Sequence, residues 1–352
     1  MRGRDNFGVL RLGAATAVLV SHAFGLNGRA DPLSAVAGQT LGAAAVGVFF
    51  AISGFLVVGS WSRDPHLLRF LARRAKRIWP GLTVAVLFTA YVVGPLFTRL
   101  PVRDYLDSGG PHTYVLAKLV MLRADQLLPG VFTANPLATA NGSLWTLPLE
   151  VQAYLGVAVL GLAGALRRGW LLRAAWLVSV GAAVLIEVFD ISTVVSVFPQ
   201  EVYLVAVFLG GALLYRERDR VPLRGGFAAA LIVAWLLTRG TVAQAAVGAA
   251  AFPYTCLWLA LRTRPVLGRL VGRADLSYGV YLYAYPVEQA IRAGLGPSAT
   301  PAITIALALP ITGSLALVSW QVVERPWLRR ARRPEPSLAG PDPRALAAVA
   351  DN

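Results

Sequence analysis

Residues 7–26, FGVLRLGAATAVLVSHAFGL, form an apolar run of the length that a helix needs to cross a bilayer. This run contains one arginine, Arg11, and one histidine, His22. Eleven residues make about three helical turns, so both side chains share one face, about 16 Å apart. Ionisable groups are costly in hydrocarbon and usually face a bundle interior or a watery cavity. The helix is therefore predicted to line an internal site, although a snorkelling arginine and a hydrogen-bonded core histidine fit the spacing equally well.

The rest of the chain has the same apolar character. Hydrophobic residues make up 56% of it and charged residues 14%, against about 25% charged residues in soluble domains. The net charge of +15 comes from short basic runs between apolar stretches, as in cytoplasmic loops. A nucleic-acid-binding protein would instead gather its basic residues on one soluble face. We predict an all-α, polytopic membrane helix bundle in the inner (plasma) membrane, surrounded by lipid and without a nucleic-acid partner.

Ten apolar segments are long enough to be candidate membrane spans. Their connections place 25 Lys and Arg residues on one side and seven on the other, which predicts that both termini are cytoplasmic. Residues 1–333 are predicted to form a single transmembrane domain, with residues 99–141 as an extracytoplasmic cap, and the Pro-rich residues 334–352 a disordered cytoplasmic tail. The ten spans are residues 7–26, 38–60, 79–98, 145–166, 170–190, 198–215, 225–239, 242–261, 275–295 and 301–323.

Residues 65–80, PHLLRFLARRAKRIWP, have the pattern of a basic amphipathic helix on the cytoplasmic leaflet. One interpretation is attraction to anionic lipid headgroups, at about 1 kcal/mol per basic residue. The other is a phosphate site, because arginine forks match phosphate oxygens in pairs. The pattern alone favours the lipid interpretation. The single cysteine, Cys256, and the lack of a C-x-x-C pattern indicate neither an internal disulfide nor a metal site.

Residues 141–155, NGSLWTLPLEVQAYL, begin with a turn and carry Glu150 into the fourth span. The predicted orientation puts Glu150 near the outer side, at a depth similar to that of His22. A neighbouring carboxylate would hold the imidazole in one tautomer and raise its basicity, as general base catalysis requires. A purely structural polar pair is the alternative.

Six segments, in order along the chain, resemble signatures of the acyltransferase 3 family of integral-membrane acyltransferases. Many members of that family carry a histidine where this chain has Ala284, so no catalytic role is assigned to that segment. The six segments are the helix with Arg11 and His22, GVFFAISGFLV (residues 47–57), RRAKRIWP (73–80), GSLWTLPLE (142–150), LSYGVYLYAYPV (276–287) and VERPWLR (323–329).

The resemblance implies an enzyme that moves an acyl group, commonly acetyl, from cytoplasmic acyl-CoA to a hydroxyl of a cell-envelope or exported carbohydrate or glycolipid. It implies that His22, oriented by Glu150, is the base, with Arg11 contacting the donor or a carboxylate in the cavity. Direct transfer and an acyl-histidine relay both remain open. The implied CoA-phosphate residues are Arg73, Arg74 and Arg77, and the implied substrate-binding residues are Ser143, Trp145, Tyr278 and Tyr281.

Two other classes of protein compete with this prediction. A membrane transporter also places ionisable residues in its spans, but many transporters show paired halves with matching broken helices, and the sequence has no such symmetry. A non-catalytic partner in a polysaccharide pathway would tolerate substitution of His22 and Glu150.

Overall fold

The computed structural model describes residues 5–122, 127–189, 199–264 and 275–330, and these residues form helices and loops with no strand. Residues Gly142–Thr146 form a 3-10 turn, and Thr89–Val93 and Trp320–Glu324 form π-helical turns that each join two helices. The helices are α1 (Phe7–Leu26), α2 (Pro32–Ala37), α3 (Leu41–Arg63), α4 (Leu67–Phe88), α5 (Gly94–Phe97), α6 (Val102–Asp107), α7 (Gly110–Leu119), α8 (Leu147–Leu162), α9 (Gly169–Val188), α10 (Pro199–Arg216), α11 (Gly225–Leu237), α12 (Ala243–Arg262), α13 (Ser277–Leu295), α14 (Pro301–Ser319) and α15 (Arg325–Arg330).

Each of the ten predicted spans coincides with a helix. Within the described ranges, seven helical stretches are long and apolar enough to cross a membrane, and α11, with 13 residues, is shorter. The all-α, multi-pass membrane bundle is thus confirmed. The count of ten spans and the cytoplasmic termini stay predictions. The predicted tail, residues 334–352, lies outside the described residues.

The basic segment, residues 65–80, is helical as predicted and is the first part of one continuous helical stretch, Leu67–Phe97. Its position on the cytoplasmic leaflet stays a prediction. Proline usually ends a helix because it lacks an N–H. Here Pro80 lies inside α4, and both Phe70 and Ile78 are fully buried in the bundle. Packing of this face against neighbouring helices therefore outweighs the local preference for a break.

Helix α3 is the central element and packs against α1, α8, α10 and α12. Its contact with α10 is made by backbone, because a methyl group at Gly54 would collide with the carbonyl oxygen of Phe208. In the same way, a methyl group at Gly211 would collide with the carbonyl oxygen of Ala51. Small residues at such positions let membrane helices approach closely. The pair α3–α10 is therefore the closest-fitting part of the core that positions the site.

The long connection after α5 folds onto the bundle through α6 and α7. The Tyr105 ring is fully buried, and its hydroxyl donates to the carbonyl oxygen of Ala90 at 2.7 Å. The Trp79 indole N–H donates to the carbonyl oxygen of Leu119 at 3.0 Å. These contacts attach the predicted cap to the helix that carries the basic segment.

Candidate active site

A cavity with a volume of about 100 Å³ lies between α1, α3, α4, α8, α10 and α13. Its ionisable lining combines cations with a carboxylate and several tyrosines, while aromatic, aliphatic and hydroxyl side chains form the remainder. A few polar groups in a mostly apolar concave surface are typical of ligand sites. The ionisable lining residues are Arg11, Arg74, Arg77, Glu150, Tyr154, Tyr278 and Tyr281.

Two of these arginines share one carboxylate. Arg11 and Arg77 approach the same oxygen of Asp275, at 3.1 Å and 2.9 Å. The Ser277 hydroxyl donates to the other oxygen of Asp275 at 2.7 Å. The carboxylate thus joins α1 and α4 to the start of α13. Arg11 was predicted to contact the donor or a carboxylate, and in the structure it contacts the carboxylate of Asp275.

The third arginine of the cavity lies over an aromatic ring. The Arg74 guanidinium stands 5.6 Å from the centroid of the Tyr154 ring, a cation–π distance. The Tyr154 hydroxyl donates a hydrogen bond to Glu150. The buried Nε of Arg74 has no hydrogen-bond partner. Arg74 is therefore held by a ring and keeps donor capacity for an anion in the cavity.

The predicted trio of phosphate-binding arginines is divided by the structure. Arg74 and Arg77 line the cavity, but Arg73 binds Asp64 at 2.5 Å, beyond the end of α3. Hydrogen bonds from Arg69 and Arg73 lower the pKa of Asp64 to about 2, so the carboxylate is ionised at neutral pH. Arg73 therefore joins two helix ends, and it is not among the residues that line the cavity.

His22 faces a different carboxylate from the one predicted. Its Nδ1 lies 3.7 Å from a carboxylate oxygen of Glu288 on α13, and its ring meets Tyr285 edge-on at a centroid distance of 5.0 Å. The predicted pairing with Glu150 is wrong, since Glu150 belongs to the cavity with Arg74. Glu150 lies in the first turn of α8, directly after the 3-10 turn.

The pair formed by His22 and Glu288 is incompletely satisfied. The Glu288 side chain is fully buried, whereas that of His22 is 23% exposed. Neither carboxylate oxygen of Glu288 nor Nδ1 of His22 has a hydrogen-bond partner. Orphaned buried polar groups are rare, and a catalytic role is one of their few explanations. The exposed part of the imidazole leaves it accessible to a second molecule.

The loop before α8 holds this part of α13 in place. Pro286 has no N–H to offer the carbonyl oxygen of Leu282, one turn earlier, and the Asn141 side-chain amide donates to that oxygen at 2.9 Å. A methyl group at Gly142 would lie 2.5 Å from the Tyr285 ring. Glycine at this position is therefore needed for the ring beside His22 to rest on the loop.

The four predicted substrate-binding residues occupy different places. Tyr278 and Tyr281 line the cavity, but their hydroxyls donate to the carbonyl oxygens of Ile78 and Ser143, at 2.8 Å and 2.7 Å. The Ser143 side chain is buried, and its hydroxyl has no partner. Trp145 packs on the hydrophobic core. The cavity thus includes two of the four residues.

Two carboxylates at these sites were not predicted: Asp275 and Glu288. The signal for Glu288 was present, because a carboxylate within the apolar span 275–295 is itself a functional candidate. Ala284, one turn earlier, is buried in a small cluster with Leu19 of α1. The position where related sequences carry histidine therefore faces the helix of His22.

Comparisons with known proteins give a consistent picture. A family model described as "Acyltransferase domain" matches residues 4–320. The "O-acetyl transferase" of Shigella phage Sf6 is 30% identical over 343 residues, which cover 94% of this chain and 98% of the phage protein. "Nodulation protein 10" of Rhizobium leguminosarum bv. viciae is 29% identical, with 93% of this chain and 94% of that protein covered.

A further relative is "Exopolysaccharide production protein ExoZ" of Rhizobium meliloti (strain 1021), 28% identical over 325 residues, with 86% of this chain and 95% of that protein covered. No solved structure matches the chain significantly.

Proposed function

The chain belongs to the acyltransferase 3 family, and from this premise we propose that it transfers an acetyl group from cytoplasmic acetyl-CoA to a hydroxyl of a cell-envelope or exported carbohydrate. That the protein is a membrane acyltransferase follows from the family match and from its apolar helices. The acetyl group, the CoA donor, the carbohydrate acceptor and the inner (plasma) membrane location are parts of the proposal. The name of the phage relative supports acetyl transfer, and the name of the ExoZ relative supports a polysaccharide acceptor.

The observation that carries the proposal is the position of the partly exposed His22 imidazole, 3.7 Å from the fully buried carboxylate of Glu288. In the proposed reaction the His22 Nε2 accepts the proton of the acceptor hydroxyl as that oxygen attacks the thioester carbonyl. A new ester C–O bond forms, the C–S bond breaks, and the proton passes from the imidazole to the departing thiolate. General base catalysis of this kind contributes about 10²- to 10⁴-fold to a rate.

Glu288 is the positioning residue in this scheme. Its carboxylate lies 3.7 Å from Nδ1, just beyond hydrogen-bond length, and such contacts often shorten only in the substrate complex. A hydrogen bond from Nδ1–H to Glu288 would fix the tautomer that leaves Nε2 free to accept a proton, and it would stabilise the imidazolium that forms.

The cavity of Arg11, Arg74 and Arg77 is the proposed donor site. Its guanidinium groups match the phosphates or the carbonyl oxygens of an acyl-CoA arm. Arg11 lies about 16 Å along α1 from His22, a distance that an extended pantetheine arm spans. The donor would thus enter from the cytoplasmic side of the predicted topology, with its thioester directed toward His22.

The direct test is His22→Ala in purified protein or isolated membranes. We expect transfer from acetyl-CoA to be lost while expression is unchanged, because no other group would accept the hydroxyl proton. His112→Ala is the matched control, since His112 is exposed and packs on Tyr91 away from the pair. Retained transfer by His22→Ala would falsify the assigned role.

The donor site has its own test. Arg74→Gln combined with Arg77→Gln should raise KM for acetyl-CoA by about tenfold or more and leave KM for the acceptor nearly unchanged. Lys76→Gln removes one charge from the same helix outside the cavity lining and serves as the control. An equal rise of both KM values would contradict the donor assignment.

Two further measurements define the product and the route. Mass spectrometry of envelope glycans from cells with and without the gene should show loss of an acetyl mass in the deletion strain. Incubation of the protein with labelled acetyl-CoA and no acceptor should leave the protein unlabelled if transfer is direct. A labelled histidine would establish the acyl-histidine relay instead.

A further inference from the structure

A second pocket, with a volume of about 490 Å³, lies where α3, α8 and α10 end. Its lining contains two aromatic rings, Trp61 and Tyr215, and three arginines, Arg167, Arg216 and Arg218. By the charge distribution of the loops this end of the bundle faces the cytoplasm. We call it the basic pocket. The reaction proposed above does not use it.

The basic pocket continues the faces that line the donor cavity. On α8, Tyr154 lines the cavity and Gly161 lines the basic pocket. On α10 the corresponding residues are Phe208 and Tyr215. Each step is seven residues, which is two helical turns on one face and about 10 Å of rise. The cavity and the basic pocket therefore lie one after the other along α3, α8 and α10. All three helices run from the cavity toward the basic pocket.

The arginines of the basic pocket have capacity for an anion. Among the described residues, no carboxylate forms an ion pair with Arg167 or Arg216. One Nη of Arg216 donates to the carbonyl oxygen of Arg167 at 3.0 Å, which places both arginines at one edge of the pocket. Unpaired guanidinium groups close together are suited to bind a phosphate monoester.

The rings of the basic pocket form its apolar wall, with Trp61 buried and Tyr215 beneath Arg218. A methyl group at Gly161 would collide with the Trp61 indole, so the glycine allows that ring to lie directly on α8. The Tyr215 ring has the Arg218 guanidinium over it at 4.5 Å from its centroid. Aromatic rings beside arginines are a common setting for stacking a nucleobase.

We propose that the basic pocket binds the phosphorylated nucleotide end of the acyl donor while the thioester arm occupies the cavity. This inference rests on the proposed function, because it takes the donor to be an acyl-CoA. The 3′-phosphate of the nucleotide contacts Arg167 and Arg216, and the adenine lies against the half-exposed Arg218 guanidinium that covers Tyr215. The pocket thus supplies affinity for the part of the donor that does not react.

The test compares two donors, acetyl-CoA and acetyl-3′-dephospho-CoA, which lacks the 3′-phosphate. For the unchanged protein we expect KM to be about tenfold lower with acetyl-CoA, a difference typical of one charge-assisted contact. Arg167→Gln with Arg216→Gln should raise KM for acetyl-CoA by about tenfold and leave both kcat and KM for the dephospho donor unchanged. Arg168→Gln, next to the pocket but outside its lining, is the matched control.

Three outcomes overturn the proposal. If the double variant keeps its preference for acetyl-CoA over the dephospho donor, the 3′-phosphate binds elsewhere. If the double variant has a lower melting temperature but unchanged kinetic constants, the two arginines stabilise the helix ends and do not bind the donor. If the unchanged protein needs vesicles with phosphatidylglycerol and the variant does not, the phosphate bound there belongs to a lipid headgroup.

A binding measurement separates this proposal from the proposed function. Isothermal titration of the purified protein with CoA requires no turnover. Weaker CoA binding by the double variant supports the pocket even if the unchanged protein fails to transfer acetyl groups. Absence of CoA binding by the unchanged protein overturns the pocket and the CoA donor together, whereas transfer to carbohydrate from another donor would still stand.

Discussion

The two polar regions of the bundle differ in how completely their groups are paired. In the donor cavity Arg11 and Arg77 share Asp275, so part of a charge that would be costly in hydrocarbon is compensated before any ligand binds. At the other region, Glu288 is fully buried and the Nδ1 of His22 is beyond hydrogen-bond length. The first arrangement is that of a preformed binding site. The second is one in which a proton transfer can change the charge of a group.

After the loss expected for His22→Ala, the largest effect comes from Glu288→Gln, which preserves shape and removes the carboxylate. If Glu288 orients His22, kcat at saturating donor should fall by about 100-fold, because general base catalysis requires the correct tautomer. Rates of acetyl transfer by purified protein measure this change. Glu187→Gln, at an exposed position of α9, is the control. A rate within twofold of the unchanged protein would make the pair a structural one and remove the contrast with the cavity.

The next largest effect is expected from Asp275→Asn. Removing this shared carboxylate leaves the Arg11 and Arg77 guanidinium groups without their common anchor. We expect KM for acetyl-CoA to rise about tenfold with a smaller change in kcat, because the ligand must then order the arginines itself. Steady-state kinetics over a range of donor concentrations check this. A loss confined to kcat would place the carboxylate in the chemistry instead.

A smaller effect is expected from Gly142→Ala, which tests whether the loop positions the ring next to His22. The added methyl group would lie 2.5 Å from the Tyr285 ring and force one of the two to move. Overpacking of this kind costs about 1–3 kcal/mol of folding free energy. Melting temperature in detergent and kcat should both decrease. Gly156→Ala is the control, because nothing lies within 4 Å of its added methyl group.

The smallest effect is expected from Arg73→Gln. Arg73 pairs with Asp64 outside the cavity, and such partly exposed ion pairs contribute little to stability. KM for acetyl-CoA should change by less than twofold. The depressed pKa of Asp64, about 2, keeps its carboxylate charged above that pH, so the contribution of the pair is lost only in strong acid. A rise in KM equal to that of Arg74→Gln would restore the predicted trio.

The apolar runs were sufficient to predict the helices, because a bilayer requires about 20 such residues for each crossing. Residues 65–80 continue into the span predicted at 79–98, with Pro80 inside the helix. For the site, Arg11 and His22 meet two different carboxylates of the segment 275–295, and only Arg11 lines the cavity. Pairing across helices was less predictable, since Glu150 lines the cavity with Arg11 and His22 lies beside Glu288.

The partners that lie on other helices were also beyond the sequence. Nothing along the chain relates Asp275 to Arg11, because their proximity depends on how α1, α4 and α13 pack. Glu288 was the exception that could have been found, as a carboxylate in an apolar run. The resemblance to the family singles out Ala284 and implies no role for Glu288, one turn later.

The glycine contact between α3 and α10 has a consequence for how the enzyme could acquire new donors. Because backbone meets backbone at Gly54 and Gly211, these helices cannot move closer, and a larger residue at either position would force them apart. Variation in acyl chain length must therefore come from exchange of side chains that face the cavity, such as Phe49, Phe50 and Phe208. The spacing of the two helices is then fixed, and the phenylalanine side chains determine the size of the acyl group that the cavity accepts.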